Sequence, residues 1–431
     1  MDVELLLLVT MASVIGSLLG MLTGAIPGIH VNTLASMMLV LYPGMESFIS
    51  NLTDPSFSPI IVSSCIMSAS VVHSFVDFVP SVFIGAPDPD ESMSVLPGHR
   101  MLMEGNGMGA VRAAAIGSVV GASASMLLAI PIQYLMLNGL EDDVDRLTLG
   151  VLLFALSAIV INESNWNGRI WAIALMAFSG LLGLISMRGD LDSVGMLGEG
   201  TLLFPMLTGL FGLPILLSSS RSGRIPEQLD GPKDPVGMVP GAKGVMMGVL
   251  SGWFPGITAT ASASIASVFS KEDDPARFIS LVASIGTVTS VFSIVTLSIS
   301  GSGRSGTVLV IREIVGSGLE GFCSPYFLLM MLSVAIATML GYVITIQVGR
   351  LMCKVAGGID SSKLNKAVLV FTIALVALLT GPFGLLMLLA STFLGSMPAT
   401  CGIDRIPLSG CLIVPVVLSE LGLVDSMLGV F

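Results

Sequence analysis

LTGAIPGIHVNTLA, residues 22–35, interrupts an apolar run that begins near residue 5. Gly24, Pro27 and Gly28 fall together there, and His30, Asn32 and Thr33 follow at once. Proline removes a backbone donor, and glycine weakens a helix. Freed backbone groups are tolerated at membrane depth only where protein buries them or a watery cavity is lined by them. A single Pro-Gly kink reads most simply as close helix packing. The same kink repeated, with hydroxyls behind it, reads as a site.

It is repeated. LSGWFPGITATASA, residues 250–263, matches the first stretch 228 residues further on. Gly252 aligns with Gly24, Pro255 with Pro27 and Gly256 with Gly28, and Thr258 and Thr260 follow the second break. Four weaker matches keep the same order. VFIGAPDPDES (82–92) pairs with LSISGSGRSGT (297–307), setting Gly85 against Gly301. GVLLF (150–154) pairs with AVLVF (367–371), GLLG (180–183) with TFLG (392–395), and GTLLFPMLTGLFGL (200–213) with GCLIVPVVLSELGL (410–423). Ordered matches across the whole chain indicate duplication. The polar, Pro/Gly-rich stretch 220–243 separates a first repeat, 1–219, from a second, 244–431.

Composition sets the class. The 431 residues are 53% hydrophobic and 11% charged, with mean hydropathy +0.94. Soluble domains carry about 25% charged residues. The chain is read as an all-α polytopic protein of the cell membrane, and its first apolar run as mature fold, not a cleaved leader. A net charge of -11 argues against nucleic-acid binding. Five cysteines without CxxC spacing and three scattered histidines suggest apolar packing and no dedicated metal site.

Charge orients the repeats. The segment NGLEDDVDR after the first half's second span is acidic, whereas its counterpart at 350–366 carries Arg350, Lys354, Lys363 and Lys366. Basic loops stay cytoplasmic, so the halves are expected to be inverted in topology. Each would form a PG-broken hairpin (5–43 and 244–269) and about five spans. Those spans are 59–84, 109–137, 147–162, 169–187 and 200–219, then 278–300, 322–349, 367–381, 382–397 and 410–427. The linker 220–243 would be cytoplasmic.

Such folds bring broken helices together near the midplane. Helix N-termini there offer unpaired N–H groups to an anion, while carbonyls and hydroxyls suit a cation. The expected substrate-binding set is Gly24, Pro27, Gly28, His30, Asn32, Thr33 and Gly85 in the first half. In the second it is Gly252, Pro255, Gly256, Thr258, Thr260, Gly301, Ser302, Gly303, Arg304 and Ser305. Arg304 could hold a carboxylate bidentately, or pair with an acid of the matching loop. Asp77 lies within an apolar span, where acids are usually functional. With Asp88, Asp90 and Glu91 it forms the candidate set for a coupling ion, Na⁺ or H⁺. The bland readings are interior histidines, hydroxyls bonded to the preceding turn, and a solvated acidic loop at 88–91.

The two breaks, GAIPGIHVNTLA and GWFPGITATASAS, resemble the twin signatures of the large membrane subunit of tripartite tricarboxylate transporters, the TctA-type permeases. IGAPDPDESMSVLPGHRMLMEGNGMGAVRAAAIGSVVGA, PMLTGLFGLPIL and SMPATCGIDRIPLSGCLIVPVVL resemble further segments of that family in the family's order. The resemblance covers nearly the whole chain. It implies cation-coupled uptake of di- or tricarboxylates with a solute-binding protein and a small membrane subunit. This chain has PGIH and PGIT where the family usually has PGLG, and acids at 88, 90 and 91 where it has small residues. The alternative reading is a polyprenyl-phosphate lipid carrier translocase. An intramembrane enzyme is disfavoured: GRSG (303–306) has no histidine in its half to act as base.

Overall fold

In the computed structural model, placement is described for all residues except 1–2, 27–30, 85–92, 94, 164, 187–193, 196–197, 200–201, 219–225, 230–231, 233, 255–258, 270–271, 273, 302–304, 357–360 and 424–431. The described chain is helical, apart from a two-residue antiparallel ladder of β1 (Val194–Gly195) and β2 (Gly198–Glu199). Among the described residues, seven helical stretches are long and apolar enough to cross a membrane.

The first half begins with α1 (Val3–Ala25) and α2 (Val31–Ser50), the two arms of the broken hairpin. Next come α3 (Ser58–Val76), α4 (Phe78–Ile84), α5 (Val95–Met103), α6 (Gly107–Leu135), α7 (Glu141–Ile161), α8 (Trp166–Ser186), α9 (Leu203–Leu207) and α10 (Leu213–Ser218). The second half holds α11 (Val239–Trp253), α12 (Ala259–Phe269), α13 (Pro275–Ser300), α14 (Gly306–Val315), α15 (Pro325–Ala356), α16 (Ser361–Cys401) and α17 (Gly410–Glu420).

Glycines fix how the central helices meet. A Cβ built on Gly16, Gly20 or Gly24 of α1 would lie 2.0, 2.4 or 3.0 Å from the backbone oxygens of Cys65, Ala69 and His73 on α3. Only a bare Cα allows so close an approach, the small-xxx-small packing of membrane helices. Because the residue numbers rise together, α1 and α3 run parallel. The second half repeats the device. Gly244, Gly248 and Gly252 of α11 face the carbonyls of Leu281, Ile285 and Thr289 on α13. The sequence match seen at Gly24 and Gly252 therefore extends down both helices.

The halves then exchange partners. Gly117 and Gly121 of α6 seat on Ser280 and Ser284 of α13, again in parallel. Ser68 of α3 donates to the Ser333 carbonyl of α15 at 3.4 Å, and Phe75 fills the space beside Gly341. Gln133 near the end of α6 accepts from the Cys323 N–H just before α15, whereas Gly349 near the end of α15 meets Val111 early in α6. So α6 and α15 are antiparallel. It follows that α1, α3 and α15 point one way and α11, α13 and α6 the other, each trio completed by a helix from the opposite half. Gln133, fully buried, also donates to Ser298 Oγ (2.9 Å) and the Gly321 carbonyl (3.1 Å).

The linker lies along the first half. Leu229 N–H donates to the Gly105 carbonyl at 2.8 Å. Gln228 Oε1 accepts from Gly107 N–H at 2.8 Å, and Arg112 donates to the Pro232 carbonyl at 3.1 Å.

Several boundaries differ from the sequence reading. The arm α2 runs through Pro43 to Ser50, although Pro43-Gly44 reads as a stop. The chain turns at Asn138 (φ -97°, ψ 19°) and Gly139 (φ 111°), and α7 already begins at Glu141, so the acidic part of the stretch read as loop is helical. The expected boundary between spans 367–381 and 382–397 coincides with the break in α16 where Gly381 adopts φ 63° just before Pro382, although α16 begins earlier, at Ser361, and runs on to Cys401. The short helices α5 and α14 went unseen, since each is masked by a neighbouring Gly-rich loop.

Candidate functional site

Two of the polar interruptions meet across the halves. Asn32, in the first turn after the first break, presents Oδ1 to the start of α14. It accepts from Thr307 N–H at 2.9 Å and from Thr307 Oγ1 at 2.6 Å. Ser305 is the N-cap of α14, its hydroxyl accepting from Val308 N–H at 3.3 Å. Side-chain oxygens thus satisfy donors that a helix start leaves open. The contact ties the first hairpin's break to the second half's polar loop. In the second half, Thr260 stands at the position that matches Asn32. Thr260 itself is fully buried in α12.

Directly beneath the first break lies a buried polar cluster. Thr23, on the last turn of α1, meets His73 Nδ1 at 3.0 Å through its hydroxyl. Asp77 closes α3, its N–H donating to the His73 carbonyl at 3.0 Å. Ser81 Oγ donates to the Asp77 carbonyl at 3.0 Å, and Ser74 and Thr287 bring their hydroxyls to 3.3 Å. His73 and Asp77 are each only 4% exposed. Asp77 is the one formally charged side chain in the apolar stretch Pro55–Phe83. Among the described residues, the second break has a matching cluster without ionisable groups: Ser251 and Thr289 share a hydroxyl–hydroxyl hydrogen bond, and Ser293 donates to the Thr289 carbonyl at 2.8 Å.

Of the expected site residues, Gly24 packs on the His73 carbonyl and the Asp77 amide. Gly252 packs on Phe292 and the Thr289 carbonyl, and its own carbonyl accepts from Thr296 Oγ1 at 2.9 Å. Gly301 caps α13 at φ 61°, a left-handed turn that glycine adopts freely. Thr33 lies in α2, its side chain outside the described set. Pro27, Gly28, His30, Gly85, Pro255, Gly256, Thr258, Ser302, Gly303 and Arg304 lie outside the described residues, as do Asp88, Asp90 and Glu91. His73 is one of the histidines that the sequence reads as interior packing. Its four-residue spacing from Asp77 was the available signal, since it puts both on one helix face.

At the outer end of the second hairpin, Glu272 joins Lys243 of α11 to Arg277 of α13. Burial alone would push this carboxyl up, but the two cations hold it below its ordinary value. The corresponding end of the first hairpin is closed by Thr53 donating to Glu4 at 2.7 Å.

A helical core with several long apolar spans defines a multi-pass membrane protein. Residues 10–410 match the tripartite tricarboxylate transporter TctA family, and the chain belongs to that family. An uncharacterized protein of Methanocaldococcus jannaschii, MJ1079, is 26% identical over 308 residues, covering 69% of this chain and 71% of that protein. No solved structure gives a significant match.

Proposed function

We propose that the chain is a secondary-active permease for a small organic anion of the di- or tricarboxylate class, driven by a cation. Its halves, 1–219 and 244–431, would be inverted repeats joined by a cytoplasmic linker at 220–243. The observation that carries this reading is the hydrogen-bonded contact of Asn32 with Thr307, which sets the broken hairpin of one half against the polar loop of the other. The opposite pointing of the matched helices supports inversion, because α3 and α6 each oppose their counterparts α13 and α15. In this reading the helix starts after the two breaks, with the glycines and hydroxyls around them, bind the carboxylates. Arg304 supplies a forked donor. A solute-binding protein and a small membrane subunit would deliver substrate, as the family name implies. Family membership lends no support to a lipid-carrier translocase.

Uptake of labelled citrate, succinate and malate into proteoliposomes tests the activity. Saturable uptake of at least one, competed by the unlabelled anion, is expected; entry no faster than into empty liposomes would refute it. Single cysteines at 143 and 354 test the topology. Labelling of both from the same side of sealed vesicles would refute inversion.

A further inference from the structure

We propose that the driving ion is a proton, held by the buried His73–Asp77 pair on the first half alone. The proposal rests on the permease reading and names the ion that the permease uses.

The two halves have nearly the same frame around their breaks, so they can be compared position by position. The glycine contacts pair Cys65 with Leu281, Ala69 with Ile285 and His73 with Thr289. One turn further, Asp77 pairs with Ser293. Thr23 and Ser251 occupy matching places on α1 and α11, and each hydrogen-bonds its α3 or α13 counterpart. A hydroxyl pair is therefore enough to join the helices beneath a break. The first half holds an imidazole and a carboxylate at positions where the second manages with Thr289 and Ser293. Packing does not require the ionisable pair, and intramembrane ionisable groups are costly. Histidine is the side chain whose charge changes most readily near neutral pH. An oxygen cage for Na⁺ would have no use for a ring nitrogen at its centre.

Among the described residues, other charged groups on the surrounding elements have their own partners or lie at the surface. Glu4, on α1, accepts from Thr53 at the far end of the helix. Arg277, on α13, holds Glu272. Arg112, on α6, donates to Pro232. Arg312 and Glu313, on α14, are exposed. On α15, Tyr342 follows the glycine that receives Phe75. The proton would enter from one aqueous side with the anion, reside on the pair, and leave on the other. Only N–H or O–H bonds form and break.

The second half supplies conservative test variants, His73→Thr and Asp77→Ser. In proteoliposomes, counterflow of labelled citrate, succinate and malate reports exchange, while an imposed gradient of pH or of Na⁺ reports coupled accumulation. Wild type should accumulate with the pH gradient and not with Na⁺ alone. Each variant should lose accumulation at least tenfold while counterflow falls far less. Accumulation driven by Na⁺ and indifferent to pH would overturn the proposal, as would full pH-driven accumulation by Asp77→Ser. Absence of wild-type counterflow for all three anions would instead refute the carboxylate-permease reading. A substrate-free measurement then decides the proton site. His30, His73 and His99 are the chain's three histidines, so ¹⁵N-histidine resonances in nanodiscs can be assigned by His73→Thr. The His73 resonance should titrate, with a midpoint that changes in Asp77→Ser. A resonance that does not titrate, or that ignores the loss of Asp77, would overturn the proposal.

Discussion

Replacing Gly16 by alanine should destabilise the protein even though alanine is the better helix former. The added Cβ would sit 2.0 Å from the Cys65 carbonyl oxygen. Ordinary contact begins at 3.4 Å, so α1 and α3 must part by about 1.4 Å, the difference between the two. The obstacle is backbone, so no rotamer change relieves it. A gap of 0.5–1 Å already forfeits a quarter to a half of each dispersion contact; roughly 30 atom pairs along the seam at ~0.15 kcal/mol would lose about 2 kcal/mol. The gain in helix propensity returns about 0.5–1 kcal/mol, leaving a net loss of roughly 1–2 kcal/mol, within the usual range for overpacking. The control is Gly150→Ala on α7, where a Cβ meets nothing within 4 Å; that change should be neutral or stabilising. Gly248→Ala, with its Cβ 2.4 Å from that of Val288, should resemble Gly16→Ala. Reversible unfolding in mixed micelles, followed by the fluorescence of buried Trp253, measures all three. If Gly16→Ala proved as stable as Gly150→Ala, the close seating of α1 on α3 would be wrong.

Asn32→Ala removes the acceptor of both Thr307 donors and should cost about 1–3 kcal/mol; Asn32→Asp keeps an acceptor and should restore most of it in the same unfolding assay. Gln133→Leu removes the acceptor of the Cys323 N–H and the donor to Ser298 Oγ and the Gly321 carbonyl, so a loss of similar size is expected, and unchanged stability would show that the tie between halves is idle. Glu272, held below its ordinary value by Lys243 and Arg277 despite burial, contributes stability that is present above the unfolded carboxylate value and disappears as pH falls through the folded one. The stability difference between wild type and Glu272→Gln should therefore be largest above about pH 5 and shrink toward pH 3; a pH-independent difference would remove the charge-based account.

The class of protein was legible in the sequence because it rests on features that need no tertiary information. Long uncharged runs and the Gly-x-x-Pro-Gly spacing survive on their own. Helix ends were less legible. At Pro43 the local signal says stop, yet helix continues, since a tolerated proline costs little when neighbouring helices hold the chain, and α7 starts at Glu141, inside the acidic stretch that reads as loop. The exchange of partners between halves, α3 with α15 and α6 with α13, could not be read at all. It depends on which small residues face which carbonyls, and a glycine row names no partner.

The contrast between frame and polar content matters most for mechanism. An inverted pair of repeats offers two equivalent breaks, and a substrate bound between them can be released to either side by exchanging the conformations of the halves. Symmetry alone gives facilitated passage with no preferred direction. Direction needs a group that binds the driving ion in one arrangement of the frame more tightly than in the other, because an ion shifts a conformational equilibrium only by its difference in affinity. Two identical ion sites, one per half, would exchange roles as the halves exchange and would largely cancel. An ionisable pair confined to α3, opposite hydroxyls on α13, does not cancel. Placing His and Asp at Thr289 and Ser293 as well, in the double variant T289H/S293D, should therefore weaken pH-driven accumulation although it adds proton-binding groups. Stronger accumulation in that variant would show that the number of such groups, and not their asymmetry, sets the coupling.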